Sequence, residues 1–174
     1  MKRITLLIAF IGMITLQSCT VNEDNDTIDN DTIAEVFELR NVNFSYNSST
    51  GGYFIYRTLN PQIYPSDNIL IYRMSDLIDS NTPVWQLIPR TIYLSGGDEL
   101  DYDYDFSKED FTIYAGGTYN LAETPEFVYN QTFRIVIVPG YFSNRSATQV
   151  DLNDYDAVVK FYSINDKNIT EIKL

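Results

Sequence analysis

The chain has 174 residues, of which 44% are hydrophobic and 14% aromatic, with 24 acidic against 12 basic residues, no histidine and one cysteine. Without histidine there is no imidazole to activate a nucleophile, ligate zinc or act as a pH switch, and one cysteine excludes an intrachain disulfide, a Cys-x-x-Cys redox pair and a thiolate cluster. A formal charge of −12 repels phosphate backbones, which argues against nucleic acid as a partner.

The first residues have the three-part form of an export signal: Lys2 and Arg3, then an apolar run from Ile4 to Leu16 broken only by Thr5, Gly12 and Thr15. That run falls short of the about 20 residues a membrane-spanning helix needs. Leu16-Gln17-Ser18-Cys19 follows and resembles the lipobox of bacterial lipoproteins, where a small residue precedes the cysteine that becomes lipidated and N-terminal. Residues 1–18 therefore read as a cleaved signal peptide and Cys19 as a lipid anchor; the alternative is an ordinary thiol beside an uncleaved apolar helix. Each buried methylene contributes about 0.8 kcal/mol, so several acyl chains on one residue hold a protein at a membrane. Loss of Lys2 and Arg3 leaves 10 basic against 24 acidic residues, a formal charge of −14.

From Cys19 to Ile33 the chain reads as a lipidated, acidic and disordered tether, because its Asp, Asn, Glu and Thr cannot bury enough apolar area to offset the entropy of ordering. Glu23-Asp24 resembles the acidic signal that directs Bacteroidetes lipoproteins to the cell surface, although the usual lysine is missing. Asp26-Thr27-Ile28 and Asp31-Thr32-Ile33 match the Asp-Ser/Thr-aliphatic pattern of O-glycosylation in the same bacteria, which makes Thr27 and Thr32 candidate acceptors.

The 141 residues from Ala34 to Leu174 suit one domain, and their periodicity is mostly two. Phe37 and Leu39 alternate with polar neighbours, then Val42, Phe44 and Tyr46 do so one residue out of phase, which predicts a β-bulge near Arg40-Asn41. Tyr53-Phe54-Ile55-Tyr56 follows a Gly-Gly break, and the apolar run Ile69-Leu70-Ile71-Tyr72 predicts a strand covered on both faces. Val84 to Ile88 ends at Pro89. A two-residue turn at Gly96-Gly97 predicts a hairpin between Thr91-Leu94 and Glu99-Phe106, with Tyr93 opposite Leu100, Thr91 opposite Tyr102 and Arg90 opposite Asp103. Phe111 to Tyr114 is a strand ending at Gly116-Gly117, and the Gly-Gly pairs at 51, 96 and 116 read as turns because no phosphate-loop pattern surrounds them. Phe133 to Val138 is the most apolar strand. Asp151 then caps an amphipathic helix carrying Tyr155, Val158, Val159 and Tyr162, with Asp154 in its first turn. About eight or nine strands and one short C-terminal helix predict a mainly β fold, an antiparallel β-sandwich over 34–174.

Several stretches, including Ile71-Tyr72-Arg73-Met74, Val84-Trp85-Gln86-Leu87-Ile88-Pro89-Arg90-Thr91, Tyr102-Asp103-Tyr104-Asp105-Phe106, Phe133 to Pro139 and Val150 to Val158, together resemble an uncharacterised family of Bacteroidetes, mainly flavobacterial, lipoproteins. The resemblance spans most of residues 35–165 and implies an envelope lipoprotein; it carries no activity and no catalytic residue. Relatives often place a Gly-rich, collagen-like stretch after the lipidated cysteine, where this chain has an Asp/Asn-rich tether.

Asp101, Asp103 and Asp105 share one face of a predicted strand and are weak candidates for calcium. Same-face neighbours on a strand lie almost 7 Å apart, whereas a calcium shell at about 2.4 Å is usually built on a curled loop. The favoured reading is a solvated face partly neutralised by Arg90, with no cofactor. Hydrolysis of glycans would need a paired acid and base, and no motif orders one. Trp85 could stack on a sugar ring or fill the core. The expected function is a non-enzymatic binding or structural module at the outer membrane or cell surface, with an envelope protein or a glycan as partner; the alternative is a glycan-binding lipoprotein using exposed aromatics.

Overall fold

The computed structural model describes residues 34–140, 150–167 and 169–171. Cys19, Thr27 and Thr32 lie outside the described residues. Those described form ten β-strands and one α-helix, a mainly β fold of two facing sheets.

The first sheet has the order β10 (Thr170–Glu171), β1 (Glu35–Val42), β9 (Gln131–Val138), β4 (Asn68–Asp79), β5 (Thr82–Ile88). Its pairs are antiparallel except β1 with β10. The second sheet is antiparallel throughout, in the order β2 (Ser45–Asn47), β3 (Gly52–Thr58), β8 (Asp110–Gly117), β7 (Glu99–Phe106), β6 (Arg90–Tyr93). The chain crosses between the sheets at Pro89, between β5 and β6.

Alternation explains the core. Leu39, Ile69, Ile71, Phe133 and Ile135 from the first sheet meet Tyr53, Ile55, Leu100, Tyr102, Phe111 and Ile113 from the second. The out-of-phase alternation in β1 is a bulge: Leu39 pairs with Phe133, the next pair is Val42 with Gln131, and Asn41 takes φ 53° between them. Both Leu39 and Val42 thereby point inward.

The apolar runs in β4 and β9 are covered on both faces. Leu70, Tyr72, Val136 and Val138 point away from the sheet interface and meet Tyr155 and Val158 of the helix α1 (Tyr155–Phe161). The cap of α1 is Asp154, whose Oδ1 accepts from the Ala157 amide at 3.0 Å. Asp151, expected to cap it, accepts instead from the Asn153 amide in the preceding turn.

The β6–β7 hairpin corrects the expected register by one residue. Leu94 N donates to Asp98 O, which places Ser95, Gly96 and Gly97 in a three-residue loop, with both glycines at positive φ. Ile92 therefore faces Leu100, Thr91 faces Asp101, Tyr93 faces Glu99 and Arg90 faces Tyr102. Gly116-Gly117, expected as a turn, continues β8 and pairs with Asp101 and Leu100.

Candidate functional site

The two sheets differ on their outer sides. The first is roofed by α1, whereas among the described residues nothing roofs the second, whose outward positions form rows across three strands. Tyr56, Thr112 and Asp105 make one row; Phe54, Tyr114 and Asp103 make the next. In the third, Asp101 pairs with Gly116 on one side and Thr91 on the other.

That face carries a groove of about 630 Å³ lined by Asn47, Gly52, Phe54, Tyr56, Asp101, Asp103, Thr112, Tyr114 and Gly116 among others. The volume lies in the range of small-ligand sites, about 300–1,000 Å³. Its floor is kept low by glycine. A Cβ on Gly116 would meet nothing within 4 Å, and one on Gly52 would meet only ordinary contacts at 3.9 Å and beyond. Gly117 differs: its Cβ would lie 2.6 Å from the Glu99 carbonyl oxygen and 2.9 Å from Leu121 Cδ1, so packing requires it. Glycine inside a strand costs about 0.5–1 kcal/mol relative to alanine and often marks a place where another molecule approaches closely.

The aromatic walls are held at their rims. Tyr114 Oη donates to Asp105 Oδ2 at 3.0 Å, and Tyr56 Oη donates to Asp110 Oδ2 at 3.0 Å. The bond to Asp110 is the main reason the Tyr56 hydroxyl titrates above its ordinary value. For Tyr114 a hydrogen bond to Thr112 pulls the other way, and burial with the bond to Asp105 outweighs it. Each ring remains partly exposed, Tyr56 at 46% and Tyr114 at 40%.

Asp101, Asp103 and Asp105 do share one exposed face, but each side chain is engaged locally. Asp101 accepts from Thr91 Oγ1 at 2.6 Å, Asp103 from the Tyr104 amide at 2.8 Å and Asp105 from Tyr114. Among the described residues no three acidic, histidine or cysteine side chains converge as a metal set. The register shift moves Arg90 opposite Tyr102, so it does not neutralise the row as expected, and among the described residues no cation pairs with these carboxylates.

Trp85 lies on the other sheet. It is half-buried beside α1, with its ring 5.9 Å from that of Tyr155 and under the Arg134 guanidinium at 4.3 Å. Its edge reaches a smaller depression of about 340 Å³ that also touches Glu38, Arg40 and Arg134. The residues that sequence reasoning missed are Phe54, Tyr56, Tyr114 and Gly116. The signal was present in Tyr53-Phe54-Ile55-Tyr56: with one face of β3 facing the core, a run apolar at every position leaves aromatics on the exposed face.

Among the described residues no helix is long and apolar enough to cross a membrane. No family model, curated protein or solved structure matches the chain.

Proposed function

We propose that this chain is a non-enzymatic envelope lipoprotein, anchored through lipid on Cys19 at the outer membrane or cell surface, whose sandwich holds a ligand on the outer face of its second sheet. The groove floored by Gly52 and Gly116 and walled by Phe54, Tyr56 and Tyr114 carries the binding part of this reading. The export signal and Leu16-Gln17-Ser18-Cys19 support the anchor, as does the resemblance to Bacteroidetes lipoproteins. The lack of histidine and of a motif ordering two carboxylates supports binding over catalysis.

The direction of the strands suits the arrangement. Glu35 pairs with Ile137 and Ile69 pairs with Ile137, so the chain enters at the end of the sandwich where β4 begins. Tyr104 Oη donates to the Ile69 carbonyl, placing Tyr104 at that end, while Tyr102 lies farther along β4 under Arg73. Asp101 and Gly116 follow in the same direction, so the glycine floor lies toward the end of the sandwich opposite Glu35.

Two measurements test the reading. Cys19→Ala should abolish incorporation of a labelled fatty acid and let the chain be washed from membranes without detergent; a variant that still takes up the label overturns the anchor. In the Cys19→Ala chain, freed of its lipid, Gly116→Val should fill the groove and weaken capture on envelope fractions from the producing cell. Capture as strong as that of Cys19→Ala alone overturns the groove.

A further inference from the structure

The groove's chemistry narrows its occupant. Resting on the reading of this face as a binding site, we infer that it takes an uncharged sugar chain, stacked on Tyr114, Tyr56 and Phe54 and hydrogen-bonded along its flank by Asp101 and Asp103. Three observations converge on that class.

The first is the state of the tyrosine hydroxyls. Both are spent on carboxylates at the rim, so Tyr56 and Tyr114 offer ring faces held in place in advance. A pyranose ring presents an apolar C–H face with slightly positive hydrogens, which fits the negative face of an aromatic ring. Pre-organised platforms reduce the ordering cost of binding.

Charge is the second. Asp101 and Asp103 line the groove, Asp105 flanks it, and no lysine or arginine is among its lining residues. Such a wall is rich in acceptors and complements a ligand rich in hydroxyl donors. It repels uronates, sulfated sugars and phosphates, and the formal charge of −14 on the anchored form strengthens that repulsion. A carboxylate row alone would equally suit an amine; Phe54 and the glycine floor instead favour a flat, broad apolar face with polar edges.

The floor is the third. Gly116 sits between Asp101 on β7 and the Gly52 end of β3, and neither glycine is demanded by its surroundings. A ring lying across the face needs that clearance, whereas a thin aliphatic chain does not.

The test uses the full-length lipidated chain in detergent against an array of uncharged hexose and pentose oligosaccharides, with oligogalacturonate, a heparin oligosaccharide and spermidine alongside. The expected result is binding of uncharged oligosaccharides only. Gly116→Val and Tyr114→Ala should each weaken it about tenfold, and Tyr93→Ala, exposed on the same sheet outside the groove, should leave it unchanged. Urea midpoints near wild type show that the variants are folded; Gly116→Ala, with open space for its methyl, serves if Gly116→Val is not. Binding of spermidine or the anionic sugars in place of neutral ones overturns the inference, as does neutral-sugar binding indifferent to both groove variants. If no uncharged sugar binds while Gly116→Val still weakens capture of the Cys19→Ala chain on envelope fractions, the sugar is wrong and the groove stands. If capture is also unaffected, both fail.

Discussion

Glu38 concentrates the electrostatics of the first sheet in one carboxylate. Alternation puts it on the side of β1 away from the sandwich core, where a charged residue would normally be solvated, yet it is only 2% exposed. Arg40 Nε reaches its Oε2 at 2.5 Å and Arg134 Nε its Oε1 at 2.6 Å. Arg134 in turn lies over the rings of Trp85 and Tyr155, so the carboxylate holds the cation that joins the sheet to α1. Glu38→Gln removes the charge and leaves Arg134, at 14% exposure, with only the longer 3.7 Å contact to Asp166 as an ion pair among the described residues. We expect a loss of about 3 kcal/mol in urea unfolding, at the low end for a broken buried pair because Arg40 can rehydrate. Adding Arg134→Met should recover most of it, since an apolar group of similar length can fill the space; a double variant no more stable than the single one refutes the pairing as the cause. This chain of contacts also explains why the sequence leaves Trp85 open between a sugar platform and a packing residue, while the structure makes it a packing residue: its partners, Arg134 and Tyr155, are remote from it along the chain.

At the scale of elements, α1 tests how finely a sequence specifies a boundary. Asp151 and Asp154 both precede the periodic residues, and either could cap; the backbone at Asp154, φ −91° and ψ 99°, is what selects it. Asp154→Ala should cost about 1 kcal/mol in urea unfolding, and Asp151→Ala clearly less, because its carboxylate bonds only within the preceding turn. Equal losses would show that the cap is shared. The strands were legible because period two follows from burial on one face, and the β1 bulge was legible because Leu39 and Val42 must both turn inward. The hairpin register was not. Adding Ser95 to the loop shifts each partner by one, and Gly96-Gly97 accommodates either loop length. The groove was hidden for a related reason: a Gly-Gly pair signals a turn by default, and only the partners of β8 distinguish Gly117, which Glu99 and Leu121 crowd, from Gly116, which nothing crowds.

For the molecule as a whole, an asymmetric sandwich requires its buried face and its roofed face to hold together through the same strands, and tyrosine hydroxyls tie both. Tyr72, under α1, donates to the Leu152 carbonyl at 2.8 Å, and Tyr102, between the sheets, donates to the Phe127 carbonyl at 2.6 Å. Burial disfavours the phenolate at each: Tyr72 is raised far above its ordinary value, and Tyr102 and Tyr155 are each pushed up to about 12. For Tyr102 and Tyr155 a neighbouring guanidinium, of Arg73 and Arg134 respectively, opposes that shift without cancelling it. The sign follows by linkage. A group whose folded value lies above its unfolded one contributes its full stability below the unfolded value, here 10.0, and loses it as pH rises through the folded value. Stability should therefore be insensitive to these groups below pH 10.0 and fall steeply between there and about 12. Urea midpoints taken across that range, with tyrosinate absorbance followed in parallel, should show sheet and helix signals lost together with the last phenols to ionise. Because Tyr72 and Tyr155 belong to the roof and Tyr102 to the core between the sheets, roof loss before sheet loss would mean that the two layers unfold separately, and an unchanged midpoint at the top of the range would mean that the phenols are hydrated.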